Sequence, residues 1–144
     1  MKNVAIIVGL LFGAFLVAEL CGAEQAFSGR IGISAVFFFT GLGHFAKSDE
    51  MMQMLPAVIP HQRFVILLSG MIELLLAIAV LDRDYVRLAG LAICAFLVFV
   101  TPLNIYSAIR RVEFGGHASG PRYLVIRLPL QALLFVWTYW FTLR

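Results

Sequence analysis

Polar side chains recur at helical spacing inside the apolar runs of this sequence, although the chain is 62% hydrophobic and only 13% charged. Residues three or four positions apart lie on one face of an α-helix, so each set forms a polar stripe. The stripes are Thr40 with His44, Ser69 with Glu73, Thr101 with Asn104 and Ser107, and Arg127 with Gln131. Imidazole, carboxylate, amide and guanidinium groups can exchange protons, pair with one another or hydrogen-bond a polar ligand. We predict a polar pocket with five principal residues, His44, Glu73, Asn104, Arg127 and Gln131, and three secondary ones, Thr40, Ser69 and Thr101.

The elements that position these stripes are apolar segments of the length that crosses a bilayer. About 20 apolar residues in a helix span a hydrocarbon core of roughly 30 Å, and the chain has a mean hydropathy of +0.96. Its 8 acidic and 11 basic residues are too few for the surface of a soluble domain of 144 residues. We predict an all-α membrane protein that forms a single membrane domain over residues 1–144. The predicted transmembrane helices cover about residues 4–20, 31–46, 64–81, 88–109 and 124–143.

The four stripes are predicted to lie in the same half of the bilayer. The two loops that follow the second and fourth helices share one side of the membrane. At 1.5 Å per residue, His44, Asn104 and Arg127 lie within roughly 10 Å of that side, and Glu73 lies about 15 Å from it. A charged group at the centre of such a helix costs about 2.5–3.5 kcal/mol, so it normally finds a partner. We predict that Glu73 and Arg127 pair or share a hydrogen-bonded network with the other pocket residues. The network either sets only the helix register or handles a ligand, a quinone or a proton.

The stretch between the second and third helices has the features of a cover over this pocket. It begins with a serine and two acidic residues, which suit the start of a helix, and it ends with two prolines, which stop one. We predict a short interfacial helix at about residues 48–55 with a methionine-rich apolar face. The predicted lid residues are Met51, Met52, Met54, Pro56 and Pro60. Such a face suits either a flexible apolar ligand or a plain membrane anchor.

Several kinds of site are not predicted. The spacing of His44, His61 and His117 matches no metal-ligand motif, so no metal site is predicted. Cys21 and Cys94 do not form a C-x-x-C motif. The net charge of +3 comes without a basic stripe among stacking aromatic residues, so nucleic acid is not an expected partner. Catalysis by the chain alone is not expected, because no nucleophile–base pair or cofactor-binding loop is present, and catalytic residues are left unassigned.

Charge counts and the start of the chain bear on orientation. If all five segments cross the membrane, six basic residues lie on the side of the N-terminus and four on the other side. The positive-inside rule then predicts a cytoplasmic N-terminus. The first segment could instead be a signal peptide, but it lacks an A-x-A cleavage site, so we predict that it is retained as a helix. Its Ala5, Gly9 and Gly13 recur every four residues, a spacing that lets helix backbones approach closely in lipid.

Five short blocks follow one another along the chain: FFFTGLGHF, MLPAVIP, SGMIELLLAI, TPLNIY and RLPLQALLFVW. In this order they resemble the DoxX-like family of small bacterial integral membrane proteins. The resemblance implies a four-helix transmembrane bundle at about residues 30–143, to which the first helix is an addition, in the bacterial cytoplasmic (plasma) membrane. It also implies that the family-pattern polar positions are His44, Glu73, Asn104, Arg127 and Gln131.

Three functions follow from the polar pocket and the family resemblance. The first is an accessory or assembly subunit that docks other membrane proteins, or a second copy of itself, through its helical faces. The second is a subunit of a quinone-linked membrane oxidoreductase, in which the pocket holds the head group of a quinone cofactor. The third is a binder or carrier of a small lipid-like molecule.

Overall fold

The structure is a computed structural model that describes residues 2–112 and 117–144. Within these residues the chain forms six α-helices and one short 3-10 segment, and it contains no strand. Their bounds are α1 Lys2–Leu20, α2 Gln25–Ala46, α3 Ser48–Met52, α4 Gln62–Ala79, α5 Val86–Ile109, the 3-10 segment His117–Tyr123 and α6 Leu124–Thr142. Five stretches are long and apolar enough to cross a membrane: Asn3–Leu20, Gln25–Ala46, Gln62–Ala79, Val86–Ile109 and Gly120–Thr142. The prediction of an all-α, multi-pass membrane protein is confirmed at this level.

α2 is longer than predicted, because it begins at Gln25 rather than near residue 31. The polar residues of its first turns are accommodated locally. The Ser28 hydroxyl donates to the Glu24 carbonyl (3.2 Å), and the Arg30 guanidinium lies 6.0 Å from the centre of the Phe27 ring. A long basic side chain can follow an apolar surface in this way and still reach the membrane interface.

α3 is shorter than predicted, because it ends at Met52 instead of near residue 55. The residue before a proline is disfavoured from helical backbone, so Pro56 acts against a continuous helix. The segment that follows is a series of turns, and the Gln62 side chain donates to the Pro56 carbonyl (3.0 Å). His61 adopts a left-handed backbone, with φ of 51°, immediately before α4. The predicted cover is therefore a one-turn helix followed by a turn segment tied to α4.

α2 is the central helix of the bundle. It packs against α1, α4 and α6, while α5 packs mainly against α6. α2 and α4 approach each other closely at two glycines. A Cβ on Gly41 would lie 3.1 Å from the Gly70 carbonyl oxygen, and a Cβ on Gly70 would lie 2.5 Å from Cβ of His44. Only residues without a side chain permit this approach, so the crossing brings His44 directly against α4.

The apolar core is centred on the first part of α2, the end of α4 and the start of α5. Its buried members are Ile7, Leu11, Ile33, Val36, Phe37, Ala77, Val80, Ala89, Ile93, Leu97, Leu130 and Leu134. Large apolar side chains are also exposed on the outer faces of the long helices, for example Leu16, Phe38, Leu75, Phe99 and Val136. Lipid is the solvent that such outer faces require.

An aromatic cluster joins α1 to α6. The Trp137 ring stands edge-on to Phe12 (5.1 Å between ring centres) and Phe15 (5.4 Å), and it is tilted against Phe141 (5.0 Å). The Trp137 indole N–H donates to the Gly29 carbonyl of α2 (2.9 Å). Three helices therefore meet at one side chain whose polar atom is satisfied.

Candidate functional site

His44 on α2 and Glu73 on α4 form a buried pair, the His44–Glu73 pair. Nε2 of His44 lies 3.3 Å from Oε1 of Glu73. Glu73 is 6% exposed, whereas the His44 side chain is 15% exposed, so the imidazole is the member nearer the surface. Each residue lies three positions after the glycine at the crossing, Gly41 or Gly70, and hence on the same face of its helix as that glycine. The close crossing of α2 and α4 is therefore what places the two side chains together.

The second imidazole nitrogen is held by α4. Nδ1 of His44 lies 3.0 Å from the Ile66 carbonyl oxygen and 2.9 Å from Oγ of Ser69. The Ser69 hydroxyl donates to the same carbonyl (2.8 Å). Because a carbonyl oxygen only accepts hydrogen bonds, this arrangement is satisfied when Nδ1 carries a proton. Nε2 then faces Glu73 either as a donor to the carboxylate or as an acceptor from the protonated acid.

One oxygen of the His44–Glu73 pair has no partner. Oε2 of Glu73 is buried and makes no hydrogen bond to any part of the chain that the structure describes. Leaving a buried polar atom unsatisfied costs about 1–3 kcal/mol, and more when the group is charged. An unsatisfied atom of this kind within a membrane-spanning helix is a functional-site candidate. Oε2 of Glu73 can therefore bind a proton or accept a hydrogen bond from a donor.

A second polar group, the Asn104–Gln131 pair, joins α5 to α6. Nδ2 of Asn104 donates to Oε1 of Gln131 (3.2 Å), and Nε2 of Gln131 donates to the Leu97 carbonyl (2.5 Å). The Thr101 hydroxyl donates to the same carbonyl (2.8 Å). Among the described atoms, neither amide has a buried nitrogen or oxygen without a partner. Closed hydrogen bonding of this kind suits a role in holding two membrane helices in register.

The expected pairing of Glu73 with Arg127 is wrong. Glu73 pairs with His44, and no ion pair joins it to Arg127 within the described residues. Nε of Arg127 is buried without a hydrogen-bond partner. The physical reason lies in the helix arrangement: α4 and α6 both pack on α2 but not on each other. A stripe on α4 and a stripe on α6 therefore face the same helix from different directions.

The single network predicted from the stripes divides into two. Its groups are His44, Ser69 and Glu73 between α2 and α4, and Thr101, Asn104 and Gln131 between α5 and α6. No hydrogen bond links the two groups in the described part of the chain. Thr40 joins neither, because its hydroxyl donates to carbonyls of its own helix, Val36 (3.0 Å) and Phe37 (3.3 Å). Hydroxyl side chains in helices often satisfy themselves in this way.

The predicted lid residues lie beside the end of α2 that carries the imidazole. They are Met51 and Met52 on α3, Met54 in the following turn, and Pro56 and Pro60 beyond it. All three methionines are half-buried, and α3 contacts both α2 and α4. Cε of Met51 lies 3.9 Å from the position that a Cβ on Gly43 would occupy. The position of α3 is compatible with a cover, and its role as a lid stays a prediction.

Sequence reasoning missed the polar contacts that end on main-chain carbonyls. The Ser34 hydroxyl donates to the Ala77 carbonyl (2.6 Å), which ties α2 to α4. The Ile66 carbonyl, which receives both Ser69 and His44, was missed for the same reason. A pattern of side chains carries no information about which carbonyl of a neighbouring helix lies within reach.

An open apolar groove, the α1 groove, runs along α1 away from both polar groups. It encloses about 590 Å³ and is lined by Gly9, Leu10, Gly13, Ala14, Val17, Ala18, Cys21, Ala23 and Ile31. A Cβ on Gly9 or on Gly13 would meet no atom of the chain within 4 Å. These two glycines therefore face outward and take no part in packing within the chain.

Metal ligands do not gather in the described residues, where no three or more His, Cys, Asp or Glu side chains come together. The His117 side chain, which was weighed as a ligand, lies outside the described side chains.

Comparison with known proteins matches residues 33–142 to one protein family, Domain of unknown function (DUF8561). The chain belongs to this family. The DUF8561 match covers α3 to α6 and most of α2, so it includes both polar groups, whereas α1 lies before it. No curated protein and no solved structure matches the chain.

Proposed function

We propose that the chain is a DoxX-like accessory or assembly subunit of a membrane complex in the bacterial cytoplasmic membrane. In this proposal α2, α4, α5 and α6 form a four-helix transmembrane bundle, and α1 is an additional helix that docks a partner. The family match supports this division, because it begins at residue 33 and so after α1. The N-terminus is cytoplasmic in the proposal, since six basic residues against four favour that side.

The observation that carries the proposal is the outward-facing pair of glycines on α1. Gly32, Gly41 and Gly70 each bring two helices together, since a Cβ on any of them would lie within 3.0 Å of an atom of another helix. Gly9 and Gly13 have no such neighbour and line an open apolar groove instead. Small residues four apart allow close approach of a second backbone in lipid. The occupant that fits this groove is a transmembrane helix of a partner subunit.

Native mass spectrometry tests the docking proposal. The protein is first extracted into lipid nanodiscs together with its surrounding membrane. Gly13→Leu places bulk in the α1 groove and meets no atom of the chain at its Cβ. The matched control is Ala95→Leu, which adds bulk on the exposed face of α5. We expect a complex of constant mass with wild type and Ala95→Leu, and its loss with Gly13→Leu. A mass of two copies of this chain would identify the occupant as a second copy, and a monomer in all three samples would contradict docking.

Reporter fusions test the orientation. Fusions after residues 55 and 111 should report the cytoplasm, and a fusion after residue 84 should report the opposite side. Different sides for 55 and 111 would contradict the five-span arrangement, and a uniform reversal would contradict only the cytoplasmic N-terminus.

A second candidate function is favoured by the unpartnered Oε2 of Glu73. A quinol or a hydroxylated lipid-like molecule could donate a hydrogen bond to this atom, as expected for a quinone-linked oxidoreductase subunit or for a lipid binder. Glu73→Gln tests it, with Glu50→Gln as control because Glu50 is an exposed carboxylate on α3. We expect a small molecule to be extracted with wild type and with Glu50→Gln but lost with Glu73→Gln. Its retention in all three would place the molecule elsewhere.

A further inference from the structure

The His44–Glu73 pair has room for one proton between its facing atoms. Nε2 and Oε1 form an ion-pair contact of 3.3 Å, just beyond the usual N–H···O range of about 2.7–3.2 Å, so the space between them admits a single proton. The proton on Nδ1 is a different one and does not take part, because Nδ1 faces the Ile66 carbonyl and the Ser69 hydroxyl. The pair therefore has two forms that contain the same proton. In one form imidazolium faces carboxylate, and in the other neutral imidazole faces carboxylic acid.

The ion pairs of the described residues join Glu73 only to His44. On the neighbouring segment Lys47 and Glu50 pair with each other (3.4 Å), and Asp49 is exposed. On α4 itself Arg63 is exposed, and on α6 Arg127 makes no ion pair with Glu73. Loss of the shared proton would therefore leave a net negative charge in the bundle with Oε2 unsatisfied. Burying an uncompensated charge is far less favourable than burying a neutral pair.

We infer that the His44–Glu73 pair is a proton-binding site that exchanges one proton with the membrane side on which α3 lies. The proton enters at the imidazole, because its side chain is 15% exposed while that of Glu73 is 8% exposed. In the transfer the N–H bond at Nε2 breaks and an O–H bond forms at Oε1. Imidazolium and carboxylate become imidazole and carboxylic acid, so the net charge of the pair stays at zero. A hydrogen-bond donor that reaches Oε2 stabilises the carboxylate and returns the proton to His44.

The Asn104–Gln131 pair provides an internal reference for proton exchange. Its residues are 4% and 9% exposed, close to the 6% of Glu73. One amide hydrogen of Asn104 is donated to Oε1 of Gln131, and one of Gln131 is donated to the Leu97 carbonyl. An imidazole or carboxyl proton exchanges intrinsically faster than an amide proton. Exchange at the His44–Glu73 pair that is no faster than at these amides would therefore show that water does not reach the pair.

Solid-state NMR of the full chain in lipid bilayers tests the inference, with ¹⁵N-labelled histidine and ¹³C-labelled glutamate. At neutral pH we expect either an imidazolium at His44 or a protonated carboxyl at Glu73. After transfer to D₂O, that signal should shift before the side-chain amide protons of Gln131 are lost. Glu73→Gln identifies the carboxyl by loss of its signal, and Glu50→Gln should retain it. A neutral imidazole beside a carboxylate, or exchange no faster than at Gln131, would overturn the inference.

Ser69→Ala gives a second readout that does not depend on removing either member of the pair. The Ser69 hydroxyl lies 2.9 Å from Nδ1, so its loss removes one of the two groups that fix the ring. We expect the His44 ring-nitrogen shifts to move while the one shared proton is retained. Unchanged ring-nitrogen shifts would show that Ser69 does not position the imidazole, and loss of the shared proton would show that the pair does not bind it by itself.

Discussion

Glu73 in one polar group of the bundle is buried to a similar extent as Asn104 and Gln131 in the other, but the two groups differ in how completely their atoms are satisfied. In the Asn104–Gln131 pair, Asn104 donates to Gln131 and Gln131 donates to the Leu97 carbonyl of α5. Among the described atoms, the pair leaves no buried side-chain nitrogen or oxygen without a hydrogen bond. In the His44–Glu73 pair, Oε2 of Glu73 has no hydrogen-bond partner among the residues that the structure describes. A closed group, in which every buried polar atom is hydrogen-bonded, holds helices in register. An open group, in which one buried polar atom lacks a partner, has capacity for a proton or a ligand. Burial alone would not separate the two roles, but the count of satisfied atoms does.

The largest effect is expected from breaking the open group at His44. His44→Leu fills the space but leaves Glu73 without any partner, and removing one member of a buried pair destabilises by about 3–5 kcal/mol. The double change His44→Leu with Glu73→Leu should recover most of that loss, since no buried charge remains. Unfolding by denaturant in lipid–detergent mixtures measures both. A double variant no more stable than His44→Leu alone would show that the carboxylate is not the source of the cost.

Gly70→Ala is expected to act on the same group through the backbone. Its Cβ would lie 2.5 Å from Cβ of His44, so α2 and α4 must move apart. Overpacking of this kind destabilises by about 1–3 kcal/mol. Gly13→Ala is the matched control, because a Cβ there meets nothing within 4 Å. The same unfolding measurement should separate the two alanine variants, and equal stabilities would mean that the close crossing is absent in the membrane.

A smaller effect is expected from breaking the closed group. Gln131→Leu leaves Nδ2 of Asn104 without its acceptor, and interhelical hydrogen bonds in membranes contribute about 0.6–2 kcal/mol. A double-mutant cycle with Asn104→Leu should show coupling of that size. If Gln131→Leu proved more destabilising than His44→Leu, the contrast between the two groups would have to be reversed.

The smallest effect is expected for the coupling between Glu73 and Arg127. Glu73→Gln and Arg127→Gln should be additive in stability to within about 0.5 kcal/mol, because residues without shared partners act independently. A double-mutant cycle measures the coupling term. A larger coupling would mean that Arg127 reaches Glu73 in the membrane.

The helices could be predicted from the sequence because length and apolar composition decide whether a segment can cross a bilayer. The start of α2 could not, since Ser28 and Arg30 are of types that usually mark a loop. Their contacts, of Ser28 with the Glu24 carbonyl and of Arg30 with the Phe27 ring, are visible only after the helix has formed. The early end of α3 has a similar origin, because methionine and leucine favour helix while the following proline opposes it.

The residues of the candidate site could be predicted, but their partners could not. Spacing of three or four assigns His44 and Glu73 each to one face of a helix. It does not say which neighbouring helix that face meets. The choice is made by Gly41 and Gly70, whose missing side chains let α2 and α4 cross closely. Charge alone favoured Arg127 as the partner of Glu73, and the geometry of the crossing favoured His44.

The junction of Trp137 with α1 gives the molecule a built-in optical reporter. The chain has two tryptophans, and Trp140 lies apart, 54% exposed with the Arg144 guanidinium 3.8 Å above its ring. Trp140→Phe would leave Trp137 as the sole source of indole fluorescence, edge-on to two phenylalanines of α1. Its emission should change when a helix occupying the α1 groove shifts α1, and should stay constant when a proton moves between His44 and Glu73. One fluorophore can therefore follow association at the outer face of the bundle separately from events inside it.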